Sequence, residues 1–182
     1  MSAEVPKGDA HPINQSGWPD AYPAPKHTTF DQLEPTELAS WIQAGDKVPG
    51  VDYLVVDVRR ADCEYLIPGA INLPAHSFYQ SLPSLLPLLS RVPILIFHCG
   101  NRNTRGSRCA GWLADALEAH GQLAASSSSS SSGGSSGPEQ GQVKVFVLKG
   151  GYNGWERDYG TVPIDQRGQR AGDAKSLKAV PL

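Results

Sequence analysis

The run Pro93-Ile94-Leu95-Ile96-Phe97 narrows the possible folds more than any other segment. It is short, rich in β-branched and aromatic residues, and reads as a buried strand. The chain then passes through His98-Cys99 into the polar stretch Gly100-Asn101-Arg102-Asn103-Thr104, meets Arg105, and takes up a helical pattern from Gly106 onward.

Strands and helices alternate elsewhere too. Thr29-Phe30 looks extended, and Pro35–Ala44 predicts a helix with Leu38, Ala39, Trp41 and Ile42 on one face and Gly45 as its stop. Tyr53–Val56 predicts a strand running into Asp57-Val58-Arg59, and Ala70–Asn72 a second short strand. Helical segments are expected over Phe78–Leu82 and Ser84–Leu89, broken by Pro83 and Pro87. A helix over Arg105–Ala119, a strand over Val143–Leu148, a tight turn at Gly150-Gly151 and a short helix over Tyr152–Asp158 complete the pattern. Short apolar strands alternating with helices imply an α/β fold with a central, mainly parallel sheet covered on both faces. In such sheets ligands sit beyond the carboxyl ends of strands, which is where the Cys99 segment falls.

The organisation expected is a mobile, Pro- and Gly-rich tail over 1–28, one domain over 29–160, and a loose tail over 161–182. Within the domain, 121–142 contains the run Ser126–Ser132 and a further Gly/Ser stretch, too polar to pack, and reads as a flexible insertion.

Bulk properties exclude several classes. A net charge of −2 over 182 residues gives no case for nucleic acid or a membrane surface as partner. Cys63, Cys99 and Cys109 lack paired spacing, which argues against a disulfide framework and for a reducing compartment. No cysteine–histidine spacing suits zinc, so no metal is expected. The first residues lack the apolar core of a signal peptide, and no apolar run reaches membrane-spanning length. The expectation is a cytoplasmic or nuclear protein, and the sequence leaves its oligomeric state open.

A cysteine at the end of a buried strand, just ahead of an arginine that opens a helix, suits the capture of an oxyanion. Backbone amides of residues 100–105 can form an anion nest, and the following helix adds its positive end. Arg105 can close the ring with a planar fork that matches tetrahedral oxyanions. The same field favours the thiolate of Cys99, which is the nucleophilic form. The plain alternative, a packed strand-end cysteine, fits poorly beside a polar loop carrying two arginines.

Four landmarks in order resemble the rhodanese superfamily. They are Asp57-Val58-Arg59, Pro68-Gly69-Ala70-Ile71-Asn72-Leu73-Pro74, His98-Cys99 with its loop to Arg105, and Leu148-Lys149-Gly150-Gly151-Tyr152-Asn153-Gly154-Trp155. The resemblance spans roughly Phe30 to Tyr159 and implies a rhodanese-like three-layer sandwich. Sulfurtransferases of this fold usually hold a loop one residue shorter than the seven residues from Cys99 to Arg105. A His-Cys-x5-Arg loop is similar to that of M-phase-inducer dual-specificity phosphatases and rhodanese-type arsenate reductases. The resemblance therefore implies Cys99 attack on a phosphorylated substrate or on arsenate, with glutathione or glutaredoxin as the reductant in the arsenate case and no other cofactor. A sulfurtransferase carrying a persulfide on Cys99, and a non-catalytic interaction module, are the alternatives. Two departures bear on a cell-cycle role. Val58 stands where those phosphatases carry a back-door cysteine, and Cys63–Ile67 replaces their Gly-Gly-His segment.

The remaining candidates carry less. Arg102 reads as a solvated charge or a selector for anionic substrates, and Thr104 as a weak candidate for orienting a leaving group. Asp57 and Arg59 read as a brace, as in rhodanese relatives, and His98 as packing beneath the loop, since neighbours in a strand face opposite ways. Cys63 is a loop cysteine that could act as a resolving thiol, and Cys109 a core thiol. Trp18-Pro19-Asp20 is a coincidence within the tail, while Asp62 and Glu64 are the remaining options for a general acid.

Overall fold

The computed structural model describes residues 21–60, 63–101, 104–124, 141–161 and 180–181. The elements in chain order are β1 (Asp31–Leu33), α1 (Pro35–Ala44), β2 (Leu54–Asp57), β3 (Tyr65–Leu66), β4 (Ala70–Asn72) and α2 (Ala75–Leu89). They continue with β5 (Ile94–His98), α3 (Thr104–Ala119), β6 (Lys144–Leu148), α4 (Gly151–Tyr159) and β7 (Val180–Pro181). Five strands form one sheet in the order β1-β6-β5-β2-β4, and every neighbouring pair in it is parallel. β3 and β7 make a separate antiparallel pair.

Alternation along the central strands sorts the core into two layers. Leu54, Val56 and Val58 join Leu95, Phe97 and Cys99 against the buried faces of α2 and α3. Val55 and Ile96 turn the other way and pack with Leu38 and Ala39 of α1 and Tyr152 and Trp155 of α4. Burying a side chain such as Leu38 contributes about 1.5–3 kcal/mol. Strands covered on both sides read as unbroken apolar runs, as β2 and β5 do. The result is the three-layer α/β sandwich expected from the sequence.

Several elements differ from the sequence reading, among them the paired strands β3 and β7, the latter inside the segment expected to be a loose tail. α2 runs unbroken from Ala75 to Leu89 through both Pro83 and Pro87. The two prolines lie on the exposed side, where water can satisfy the carbonyls they orphan, while Ala75, Phe78, Leu82 and Leu89 hold the opposite face in the core. The first strand is Asp31–Leu33, directly after the segment expected to be extended, because register with Phe146–Leu148 of β6 places Leu33 in the core.

Residues at the end of the compositional tail are packed. Tyr22 packs tilted on Tyr79 of α2 and edge-to-face on Trp112 of α3, with ring centroids 5.1 and 5.9 Å away. The Trp112 indole N–H donates to the Pro23 carbonyl at 2.8 Å. The backbone amides of Lys26 and His27 both donate to the Asp115 carboxylate, at 2.8 and 3.1 Å. Gly111 permits this approach: a Cβ there would lie 2.4 Å from the His27 carbonyl oxygen. Burial alone raises the Asp115 carboxyl, but the Lys26 amide and the His27 side chain and amide hold it below its usual range. A carboxylate with a lowered native pKa stabilises the docked strap at neutral pH and stops doing so as pH falls through that value. Acid titration is expected to keep the Lys26 and His27 amide resonances at their bound positions until below about pH 4, the ordinary aspartate range. In Asp115→Asn those resonances should sit at unbound positions already at pH 7; bound positions there would refute the anchor.

The ends of the Ser/Gly-rich stretch are closed by a bridge between Leu123 and Val143, and 125–140 falls outside the described residues. Among the described residues no helix is long and apolar enough to cross a membrane.

Candidate active site

β5 and β6 are neighbours, yet the helices that follow them pack on opposite faces, α3 with one layer and α4 with the other. A crevice opens beyond the carboxyl ends of adjacent strands wherever their connections part in this way. Cys99 and Gly100 follow β5 at that end of the sheet, and α4 follows β6 beside them. The Tyr152 and Asn153 amides, in the first turn of α4, donate to the carbonyls of Cys99 (2.8 Å) and Gly100 (3.1 Å). Those amides have no partner inside their own helix, so the loop satisfies them while being fixed by them. The turn into α4 needs glycine at Gly150, whose φ is +72° and where a Cβ would stand 3.3 Å from the Gly154 Cα.

Cys99 is 3 % exposed and sits in the α2/α3 layer beside Cys109. Arg105 is half-buried in the first turn of α3. One helical turn on, Cys109 lies on the same face of α3 as Arg105. Burial, and then the neighbouring Cys99, push the Cys109 thiol up, whereas Arg108 and Arg105 pull it down. Cys99 just past the end of β5 and Arg105 in the first turn of α3 flank the same strand–loop–helix connection. Gly100 is half-buried, Asn101 is exposed, and Thr104 is exposed as the first residue of α3. Arg102, Asn103, Asp62 and the Trp18-Pro19-Asp20 segment lie outside the described residues.

On the other side of the sheet a buried polar cluster supports the loop from below. Asp57 is fully buried and takes the Arg59 guanidinium on both oxygens, with contacts of 2.7 to 3.1 Å, as well as the Arg59 backbone amide at 2.8 Å. Arg59 also donates to the Tyr65 carbonyl and lies 3.6 Å over the Tyr152 ring. The Asn72 side chain ties the carbonyls of Asp57 and Arg59 together at 3.0 Å each. Burial alone raises the Asp57 carboxyl; the His98 ring and the bonds and charge of Arg59 overcome this and hold it below its ordinary value.

His98 is fully buried, with Nδ1 3.3 Å from the Cys99 carbonyl and Nε2 3.9 Å from Asp57. A carbonyl only accepts, so Nδ1 carries the proton. Burial lowers the pKa of His98, while the Asp57 charge opposes that shift. Cys63 also belongs to this side: its Sγ is 3.4 Å from Asp57 Oδ2, and it packs with Leu66 rather than in the layer that holds Cys99. That placement leaves Cys63 poorly disposed to resolve an adduct on Cys99.

Tyr152 and Asn153 are the site residues that sequence reasoning missed. Their signal was the Gly150-Gly151 turn, which sets the first turn of α4 against the end of β5. Among the described residues no group of histidines, cysteines and carboxylates is placed to hold a metal ion.

A parallel α/β sandwich with a cysteine at the end of its middle strand defines the class. The rhodanese-like domain family matches residues 34–158, and the chain belongs to it. Among its relatives, the dual specificity phosphatase ibp1 of Schizosaccharomyces pombe is 27% identical over 134 residues, which cover 73% of this chain and 93% of the relative. Arsenate reductase 2.2 of Oryza sativa subsp. japonica is 30% identical over 64% of this chain and 82% of its own. Among solved structures, a Saccharomyces cerevisiae homolog of single-domain rhodanese and the Cdc25 phosphatase catalytic domain superposes with a TM-score of 0.54 at 25% identity. That match covers 71% of this chain and 82% of the yeast chain. Relatives of this chain are thus rhodanese-family phosphatases and arsenate reductases.

Proposed function

We propose that this protein is a cysteine-dependent phosphatase whose Cys99 thiolate attacks the phosphorus of a phosphate monoester held by the loop amides 100–105 and Arg105. The strand–loop–helix setting supports this reading, with Cys99 just past the end of β5 and Arg105 in the first turn of α3. The S–P bond forms as the P–O bond to the leaving alcohol breaks, and water then hydrolyses the phosphocysteine to release orthophosphate and regenerate the thiol. Arg105 and the amides counter the charge that builds on the non-bridging oxygens. His98 and the first turn of α4 act as positioning groups, since each holds the backbone of the loop rather than the substrate.

Arsenate reduction is the second reading, favoured by the rice relative and by the similar shape and charge of arsenate and phosphate. Cys99 would displace a hydroxyl from arsenic; an external thiol would then attack the sulfur of that adduct, releasing arsenite as a mixed disulfide forms. In this reading glutathione or glutaredoxin supplies the second thiol.

One side-by-side assay tests both. Wild type receives p-nitrophenyl phosphate, arsenate with glutathione and glutaredoxin, and thiosulfate with cyanide. Phosphate release is expected to exceed thiocyanate formation by a wide margin. Predominant thiocyanate would identify a sulfurtransferase and overturn the proposal.

A further inference from the structure

A small polar cleft of about 230 Å³ lies beside the catalytic loop, between β3 and α4, lined by Arg59, Glu64, Tyr65, Tyr152, Asn153 and Glu156. We propose that this cleft is a subsite for the cationic end of a lysine or arginine side chain next to the phosphorylated residue of a peptide substrate. The assignment rests on the phosphatase reading above.

Three observations lead there. First, the charge in the cleft is negative. Arg59 is neutralised by Asp57 and spread over the Tyr152 ring, which leaves the exposed carboxylates of Glu64 and Glu156 at the rim. Second, Tyr152 is 4 % exposed, yet its hydroxyl has no hydrogen-bond partner among the described residues. That hydroxyl feels Glu156 and Tyr65, both in the walls of the same cleft. A buried hydroxyl without a partner is destabilising, and a ligand donor would relieve it. Third, the cleft adjoins the reacting residue through the backbone. The amides of Tyr152 and Asn153, two of its lining residues, hold the carbonyls of Cys99 and Gly100. A cavity of this size is smaller than the usual range of about 300–1,000 Å³ for whole small-molecule ligands. It suits the end of one side chain, whose N–H groups would meet the Tyr152 oxygen inside and the carboxylates at the rim.

Binding and selectivity are tested separately. In a ¹H–¹⁵N titration with n-butylammonium chloride, saturable shifts are expected at Glu64, Tyr65, Asn153 and Glu156. They should be absent with sodium butyrate and lost in Glu64→Gln/Glu156→Gln. Absence of clustered shifts, or equal shifts with butyrate, overturns the cation site.

For selectivity, a phosphotyrosine peptide with arginine at the two positions on each side is compared with the same peptide carrying citrulline. Wild type should prefer the arginine peptide by roughly tenfold in kcat/KM, a magnitude typical of charge-assisted hydrogen bonds. The double variant should bring that ratio close to one. Tyr152→Phe, which keeps the ring on Arg59, should lower the ratio severalfold with no loss of thermal stability. Cation binding with a wild-type ratio of one overturns the assignment to a peptide side chain. Failure to turn over either peptide and p-nitrophenyl phosphate sinks the phosphatase reading, and the peptide assignment with it, whatever the titration shows.

Discussion

A Cys99→Ser variant is expected to fold, to bind orthophosphate and arsenate, and to lose turnover by roughly 10⁴-fold or more, as when a nucleophile is removed. Serine is nearly isosteric with cysteine, and the site around residue 99 is shaped by its backbone. Its carbonyl accepts from the Tyr152 amide and faces His98, contacts the substitution leaves alone. What changes is the reacting atom, because a hydroxyl is a far weaker nucleophile than sulfur. Arg105→Lys separates charge from shape. The ammonium keeps the positive charge but loses the planar fork, so kcat should fall about 10²–10³-fold, the cost of one lost oxyanion donor. Calorimetry with arsenate and steady-state rates with p-nitrophenyl phosphate read the two effects apart. Full turnover in Cys99→Ser would remove the sulfur from the mechanism.

The elements that could be read from the sequence are those whose pattern is local. β2 and β5 announce themselves because both faces are buried, and α1 and α3 because their apolar spacing is helical. Elements set by long-range contacts stay hidden. β3 and β7 are two residues each and exist through their mutual pairing. The strap from Tyr22 to His27 has the composition of a tail; its order comes from Trp112 and Asp115 on α3, far along the chain. α2 defeats the rule against internal proline because both prolines fall on its exposed side. The candidate site divides along the same line. Cys99 and Arg105 stand out from their strand–loop–helix setting, and Asp57 and Arg59 from the rhodanese landmarks. The tie from α4 to the Cys99 loop depends on how β5 and β6 register, and the Gly150-Gly151 turn marks where α4 begins but not what its first turn holds. Cys63 shows the same dependence, because only the folded loop decides which face of the sheet it meets.

Asp57→Ala is expected to destabilise the protein by about 3–5 kcal/mol, because it strands the Arg59 guanidinium, 3 % exposed, without its counter-ion. That is a large share of the 5–15 kcal/mol typical of a folded domain. The effect belongs to the broken pair rather than to the pair's intrinsic worth. Replacing both partners by apolar residues, as in Asp57→Leu/Arg59→Met, should therefore cost clearly less than the sum of the two single substitutions. The wild-type pair also sets the acid limb of stability. With its native pKa held low, the Asp57 carboxylate contributes fully above the unfolded value near 3.9 and is lost as pH falls through the folded value. Urea melts at pH 7 and at stepwise lower pH should show wild type losing stability in acid, with the double variant showing less of that loss. Additive single effects, or an unchanged acid slope, would show that this cluster does not brace the fold beneath Cys99.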